Sequence, residues 1–405
     1  MIHMQMDSKI IDKISFLTGD RERFERVEYV KARVPFDQDI CDFLDGLSKE
    51  LLHYPEAKRY PDIVTFAFFI RKAALNQHRA AVCTDDDKYI CGRGISFHIA
   101  PSNVAINFAY SMCMALMMGN VCIVRVPSKS FDQTKIIVQC INSLLDDHPQ
   151  MKDYLYLIRY DRDKSINDML SAAADVRIIW GGDNTIGELR NSPLKPRGAE
   201  ICFADRYSLA VIDTAALAEG DDMSELARAF YNDTYFSDQN ACTSPRLIMW
   251  MGEDREAVKE RFWSVLRRIA EEKYEFRDIQ GVNKLTSSML ALEALDDAYL
   301  VKEKDFLITR ISVKKIEKRL AEYFGNSGFF FEYDGEDPEE LFDICDDLRC
   351  QTISYAGDKK MFDRLLNRHP KGVDRIVRMG HSMDFGLVWD GYDLAERLTR
   401  KIVIN

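Results

Sequence analysis

The chain has 405 residues, of which 46% are hydrophobic and 30% charged, a balance typical of a folded globular protein. Lys and Arg total 55 against 66 Asp and Glu, and a net charge of −11 argues against general nucleic-acid binding, which needs a basic surface. The N-terminus lacks a signal-peptide pattern, and no apolar run reaches the roughly 20 residues of a membrane span. The sequence therefore predicts a cytoplasmic protein whose ten cysteines are reduced.

The first 90 residues are predicted to form a helical segment. Residues 37–54 carry apolar side chains at the spacing of one helix face, and Pro61 suits the first turn of the helix that follows. We expect this segment to pack on the domain that comes next in the chain.

Short apolar runs alternate with amphipathic helical stretches from about residue 92. The runs are continuous and rich in β-branched residues, which is typical of parallel strands covered on both faces. The predicted strands are residues 94–99, 121–126, 154–158, 176–180 and 208–212. This pattern predicts an α/β nucleotide-binding domain over residues 91–213.

A second alternating block predicts a second α/β domain over residues 214–378. Its predicted helices are residues 223–235, 255–273, 338–348 and 359–368. Its predicted strands are residues 246–250, 306–313, 329–333 and 352–355. Residues 379–405 remain as a C-terminal segment with several short apolar runs, so the fold class is α/β with two domains of similar size.

Two glycine-rich stretches fall short of known nucleotide-binding loops. Gly92-Arg93-Gly94 has Phe97 where a dinucleotide fingerprint needs its third glycine. Residues 182–187 have Walker-A spacing, but Glu188 stands in place of the lysine and would repel phosphates. No zinc-type spacing of Cys and His occurs, so no metal site is predicted. His98, in an apolar strand, is interpreted as a hydrogen-bonded core residue rather than a ligand.

Two loops carry residue types that suit chemistry. Residues 98–104 follow a predicted strand at the sheet edge where open α/β folds bind ligands. There Asn103 either donates its amide to a developing oxyanion or simply caps the next helix. In the polar loop 236–246, Cys242 is either an activated nucleophile or an incidental surface thiol. The residues alone leave both pairs of alternatives open.

Together these loops resemble the aldehyde dehydrogenase superfamily and, more narrowly, the acyl-CoA reductases of bacterial bioluminescence, the LuxC family. The resemblance covers most of the chain and implies an aldehyde-dehydrogenase-like fold with a nucleotide-binding and a catalytic domain. Besides the two loops, its motifs in chain order are Tyr60-Pro61-Asp62, Gly119-Asn120, Trp180-Gly181-Gly182-Asp183, Asp205-Arg206-Tyr207-Ser208, Arg375-Ile376-Val377-Arg378-Met379-Gly380 and Trp389-Asp390-Gly391-Tyr392.

The resemblance implies catalytic roles for two residues. Cys242 matches the cysteine that accepts the acyl group, and Asn103 matches the asparagine that helps to hold the oxyanion. Hydrolytic aldehyde dehydrogenases also carry a general-base glutamate, and residues 202–208 hold none at the matching place. Asp205 is nearby, but Arg206 follows it, and we interpret the two as an ion pair. Without a base to activate water, a thioacyl enzyme should hydrolyse slowly, which suits a reductase.

The resemblance also implies a nicotinamide cofactor. Arg125, Gly182 and Asp183 match positions that lie along it. Ser128, beside Lys129, stands where NAD-preferring relatives carry a glutamate. A carboxylate there would repel a 2′-phosphate and a serine would not, so the resemblance implies NADPH.

The implied function is NADPH-dependent reduction of a fatty acyl thioester, on CoA or on a protein, to the aldehyde. Two alternatives are NAD(P)-dependent oxidation of an aldehyde to an acid and a catalytically silent scaffold subunit of the same fold. The resemblance also implies an acyl-protein synthetase as a partner and a homo-oligomer in which residues 379–405 take part.

Overall fold

The computed structural model describes residues 6–83, 88–217 and 222–403. The chain divides into two compact units, Met1–Ala204 with Phe385–Asn405 and Asp205–Asp384. The division thus falls at Ala204, whereas the sequence pattern put a boundary near residues 213–222. The difference arises because the predicted strand 208–212 belongs to the second sheet. A continuous apolar strand suits the interior of either parallel sheet, so its pattern does not say which sheet it joins.

The first unit combines an N-terminal helical region with an α/β core. Its helices up to Ala204 are α1 Ser8–Ile11, α2 Arg21–Phe24, α3 Gln38–His53, α4 Pro61–Phe69, α5 Lys72–Val82, α6 Asn107–Met117, α7 Asp132–Asp147, α8 Lys164–Ala173 and α9 Asp183–Leu189. Its strands in the same range are β1 Ser15–Thr18, β2 Lys88–Gly92, β3 Ile95–Ile99, β4 Val121–Arg125, β5 Leu155–Arg159, β6 Val176–Trp180 and β7 Ala199–Phe203.

The six-stranded sheet of this unit has the order β1-β5-β4-β3-β6-β7 and is parallel except for β1. The chain adds β4 and β5 on one side of β3 and then β6 and β7 on the other. This reversal creates a switch point, and open α/β sheets bind ligands outside the carboxyl ends of the strands at such a point. β3 pairs with β4 from Ile95–Val121 to Ile99–Arg125, so both strands end at the same edge.

The core of the first unit explains the continuous apolar strands. β3 is buried at all five positions, and α6 is buried from Phe108 to Met117. His98 is fully buried in β3, and its ring nitrogens hydrogen-bond the hydroxyls of Ser111 (2.7 Å) and Ser96 (2.9 Å). Burial lowers the pKa of His98 to about 3. The interpretation of His98 as a core residue is confirmed.

The second unit is built on a seven-stranded sheet with the order β10-β11-β12-β9-β8-β13-β14, in which only β10 runs antiparallel to its neighbour. Its helices are α10 Asp222–Asp233, α11 Arg255–Lys273, α12 Asp278–Ala294, α13 Phe342–Cys345 and α14 Asp363–Asn367. Its strands are β8 Tyr207–Asp213, β9 Pro245–Met251, β10 Tyr299–Leu300, β11 Thr309–Val313, β12 Phe329–Asp334, β13 Cys350–Ala356 and β14 Arg375–Arg378.

α12 was not predicted from the sequence, and its burial pattern explains why. Lys284 and Ser288 face inward, whereas Ile279, Val282 and Met289 are between 51% and 60% exposed. This pattern inverts the usual amphipathic helix, so a search for a buried apolar face does not find it.

The last described residues return to the first unit. They form β15 Val388–Trp389, β16 Tyr392–Asp393, α15 Leu394–Leu398 and β17 Thr399–Val403. β17 pairs antiparallel with β2, and β15 pairs with β16. Within the described ranges, no helix is long and apolar enough to cross a membrane.

Candidate active site

Asn103 lies in the loop between β3 and α6, at the carboxyl edge of the first sheet, and it is exposed. α6 begins only at Asn107, and its N-cap residue is Ile106. The alternative in which Asn103 simply caps the next helix is therefore wrong. Its role as an oxyanion donor stays a prediction.

Arg125 is the last residue of β4, and Ser128 and Lys129 are exposed in the loop that follows. The Arg125 guanidinium lies 4.7 Å from the ring centroid of Tyr160, and its Nη2 donates to the Tyr160 carbonyl at 3.4 Å. Lys129 Nζ lies 4.8 Å from the ring centroid of Phe131. Residues 126–131 contain no carboxylate, so this part of the edge suits an anionic group.

Gly182 and Asp183 follow β6 at the same edge. Gly182 is the N-cap of α9 and Asp183 its first residue, where a carboxylate interacts favourably with the helix N-terminus. Gly187 lies within α9, so residues 182–187 begin a helix and do not form a phosphate loop. The structure thus brings the six predicted residues of the first unit to one edge of one sheet, in the segments after β3, β4 and β6.

Cys242 lies in a turn directly before β9, at the amino end of the parallel strands of the second unit. It is half-buried, between the buried residues Ala241 and Thr243. Its carbonyl accepts a hydrogen bond from the hydroxyl of Ser208 at 2.7 Å, which ties the turn to β8. All ten cysteines lie in the described ranges, and none of them forms a disulfide there.

The backbone before Cys242 has an unusual conformation. Asp238 and Gln239 both have left-handed φ angles, 53° and 55°, although neither is glycine. Such conformations carry strain of about 1–3 kcal/mol each and persist only where surrounding contacts hold them. The segment that ends in Cys242 is therefore fixed by its neighbours rather than by its own preference.

The side chain of Gln239 supplies much of that support. It is fully buried, and its Nε2 donates to the carbonyls of Pro245 (2.9 Å) and Phe329 (3.0 Å). Its Oε1 accepts from the backbone N–H groups of Gly328 and Phe329, both at 3.0 Å. The sequence reasoning missed Gln239, because one polar residue in a polar loop gives no sign that it is buried.

α12 supports the same loop from its inward face. Gln280 Nε2 donates to Asp238 Oδ1 at 3.1 Å, and the Tyr274 hydroxyl donates to the same carboxylate. Lys284 Nζ donates to the carbonyl of Gly328 at 3.2 Å, next to the amide that contacts Gln239. The polar residues on the inner face of α12 thus have a structural reason: they hold the segment that carries Cys242.

Residues 204–206, which precede β8, contain one carboxylate, Asp205, and no glutamate. Arg206 pairs with Asp374 at 2.7 Å, and Asp205 is exposed, so the expected ion pair between Asp205 and Arg206 is wrong. Successive side chains of an extended chain point to opposite sides, which separates such neighbours.

Along the chain, the glutamate nearest to this segment is Glu200. It accepts hydrogen bonds from Arg190 (2.8 Å) and Arg177 (3.1 Å). Burial alone would raise its pKa, but these two arginines lower it below the usual value. A carboxylate held in this way is a weak base.

The sequence of the chain is similar to those of known proteins. A family model described as Acyl-CoA reductase (LuxC) matches residues 79–314. The long-chain acyl-protein thioester reductase of Aliivibrio fischeri is 25% identical over 303 residues, which cover 71% of this chain and 58% of that protein. The long-chain acyl-protein thioester reductase 2 of Photobacterium leiognathi is 24% identical over 330 residues, covering 76% of this chain and 64% of that protein. The chain therefore spans less than two thirds of the length of either relative.

Solved structures share the fold at low identity. An NAD-dependent benzaldehyde dehydrogenase from Corynebacterium glutamicum superimposes with a TM-score of 0.65 at 12% identity, covering 96% of this chain and 94% of that one. A glyceraldehyde-3-phosphate dehydrogenase from Methanocaldococcus jannaschii complexed with NADP gives 0.62 at 14% identity, covering 95% and 92%. The predicted aldehyde-dehydrogenase-like α/β fold is confirmed. Since the family model matches more than half of its residues, the chain belongs to the acyl-CoA reductase (LuxC) family.

Proposed function

We propose that the protein reduces an acyl thioester to an aldehyde through a thioacyl intermediate on Cys242, with NADPH as the reductant. The observation that carries the proposal is the turn before β9, where a half-buried cysteine of a LuxC-family chain is held by the four hydrogen bonds of Gln239. A nucleophile must approach its electrophile in one defined geometry. A turn held by hydrogen bonds fixes the position from which the Cys242 side chain can attack.

The reaction begins when the Cys242 thiolate attacks the thioester carbonyl and forms a new C–S bond. Asn103 donates its amide to the resulting oxyanion, and the C–S bond to the carrier then breaks to release the carrier thiolate. A bound nicotinamide supplies a hydride. After reduction, Cys242 leaves as thiolate and the aldehyde is released.

The residues after β4 fit a phosphorylated dinucleotide. Arg125 and Lys129 are cations, and Ser128 offers a hydroxyl where a glutamate would repel a 2′-phosphate.

Ser128→Glu tests the choice of cofactor. We expect the KM for NADPH to rise about tenfold or more, because two like charges about 4 Å apart near a protein surface repel by on the order of 1–4 kcal/mol. The KM for NADH should change much less. Steady-state rates with each cofactor measure the ratio, and Ser130→Glu in the same loop is the matched control. An equal effect on both cofactors would contradict the NADPH assignment.

Asn103→Ala tests the oxyanion role. Removal of one oxyanion donor typically lowers kcat by about 10²–10³. Asn103 is exposed and outside α6, so we expect the variant to keep its melting temperature. The check is kcat with an acyl-CoA, beside Ser102→Ala as a neighbouring exposed control. A kcat within about twofold of the wild type would remove Asn103 from the mechanism.

The acyl carrier and the partners are part of the proposal. The two relatives act, by their names, on long-chain acyl-protein thioesters, which supports a long acyl chain carried on a protein. An acyl-protein synthetase as the donor is proposed on the family resemblance. Self-association is proposed on the resemblance to aldehyde dehydrogenases. NADPH oxidation should be followed across acyl-CoA thioesters of graded length, with and without added synthetase. Activity only with aldehyde and NADP, without any thiol, would instead favour aldehyde oxidation.

A further inference from the structure

Arg246 lies four residues after Cys242, and its side chain turns back onto the cysteine loop. Its Nη2 donates to the carbonyl of Gln239 at 2.9 Å, and its Nη1 donates to the carbonyl of Gly325. Both hydrogen-bond partners described for the guanidinium are neutral carbonyls. The cation therefore stays close to the loop with its charge uncompensated by these contacts.

We propose that Arg246 is a positioning residue that keeps Cys242 in the thiolate form. The proposal rests on the role of Cys242 as the nucleophile. A cation beside a cysteine favours the thiolate, which is the reactive species. Arg246 also fixes the carbonyl of Gln239, so one side chain supplies the charge and holds the backbone that carries the sulfur.

The electrostatics of the loop agree with this geometry. Burial lowers the pKa of Arg246, and its interaction with Cys242 opposes that effect. Such an interaction is mutual, because a thiolate that stabilises the guanidinium is stabilised by it. Cys202 also lies near an arginine, Arg190, but burial and the adjacent Glu200 raise its pKa to about 11.

The other titratable groups packed around the loop are engaged with partners of their own. The Asp238 carboxylate accepts from Tyr274 and Gln280. The remaining pairs are Asp233 with the backbone N–H groups of Gly380 (2.7 Å) and Ser382 (3.1 Å), and His381 with Asp384 (2.6 Å). Arg246 is the cation that hydrogen-bonds the loop itself, so its removal should move the titration of the thiol.

The test is the pH dependence of alkylation of Cys242 by iodoacetamide, followed by mass spectrometry of the peptide that contains it. In Arg246→Met we expect the midpoint to rise by about one pH unit or more, since a nearby opposite charge shifts a pKa by 1–3 units. At neutral pH this corresponds to alkylation about tenfold slower. Arg246→Lys keeps the charge and should shift the midpoint less.

Arg255→Met is the matched control. Arg255 is also a half-buried arginine of the second unit, but it pairs with Glu336 at 2.6 Å, so the midpoint should not move. If Arg246→Met does not fold, Arg246→Gln keeps hydrogen-bond donors without the charge and gives the same comparison. An unchanged midpoint in a folded, uncharged variant overturns the proposal. The assay needs neither thioester nor NADPH, so a shifted midpoint in a protein without reductase activity would overturn the proposed reaction alone.

Discussion

Cys242→Ala is expected to abolish thioester-dependent oxidation of NADPH. Loss of a covalent nucleophile removes the reaction path itself, and in a well-studied protease it lowers kcat by about 10⁶-fold. We expect a loss of about 10⁴-fold or more here, because no other group in the proposal accepts the acyl chain. The half-buried side chain is small, so the fold and the binding of NADPH should persist.

The intermediate itself gives a second measurement of this prediction. Wild-type protein incubated with an acyl-CoA in the absence of NADPH should carry one acyl group on the peptide of Cys242, and the alanine variant should carry none. Cys83→Ala is the control, because Cys83 is the exposed cysteine of the described chain and should be dispensable. Acylation at another cysteine, or turnover retained in Cys242→Ala, would contradict the mechanism.

Gln239→Leu is expected to destabilise the protein strongly. Leucine has a similar size but leaves two backbone N–H groups and two carbonyls without the partner they have in the wild type. Each unsatisfied buried group costs about 1–3 kcal/mol, so we expect the free energy of unfolding to fall by about 3–5 kcal/mol after partial relaxation. The left-handed backbone of Asp238 and Gln239 should relax as well, and activity should fall with it.

Urea denaturation followed by circular dichroism measures this loss. Asn326→Ala is the matched control, since Asn326 is exposed and hydrogen-bonds the side chains of Asn240 (2.9 Å) and Ser327 (3.4 Å) at the rim of the same loop. We expect that control to change stability by about 0.5 kcal/mol or less. A loss below about 1 kcal/mol in Gln239→Leu would mean that other contacts hold the loop.

Several elements of the fold could be predicted from the residues alone. The apolar runs 94–99, 121–126, 154–158 and 176–180 correspond to β3, β4, β5 and β6. These strands are buried on both faces, so most of their positions are apolar, and the buried polar residues Ser96, His98 and Arg177 are hydrogen-bonded. The order of the motifs along the chain was also sufficient to recognise the family, and the comparisons confirm it.

Other elements were invisible in the sequence for physical reasons. β1 has only four residues at the edge of its sheet, too few to show a period. α12 turns polar residues inward and apolar residues outward, because Gln280 hydrogen-bonds Asp238 of the cysteine loop and Lys284 hydrogen-bonds the carbonyl of Gly328 beneath the helix. The predicted boundary near residues 213–222 differs from the observed division at Ala204, because the apolar pattern of a buried strand does not indicate which sheet the strand joins.

For the candidate site, the sequence by itself determined which residue types stand in which motif: a cysteine among small residues, an asparagine after a strand, and a serine and a lysine in place of a glutamate. Only the tertiary structure decided what holds them. Gln239 and Arg246 hold the cysteine loop through backbone groups of residues 325–329, which lie about 80 to 90 residues further along the chain, and Lys284 binds the carbonyl of Gly328 in the same stretch. The local periodicity of a sequence indicates which side chains are buried. Long-range hydrogen bonds depend on which segments the topology brings together, and local patterns do not show this.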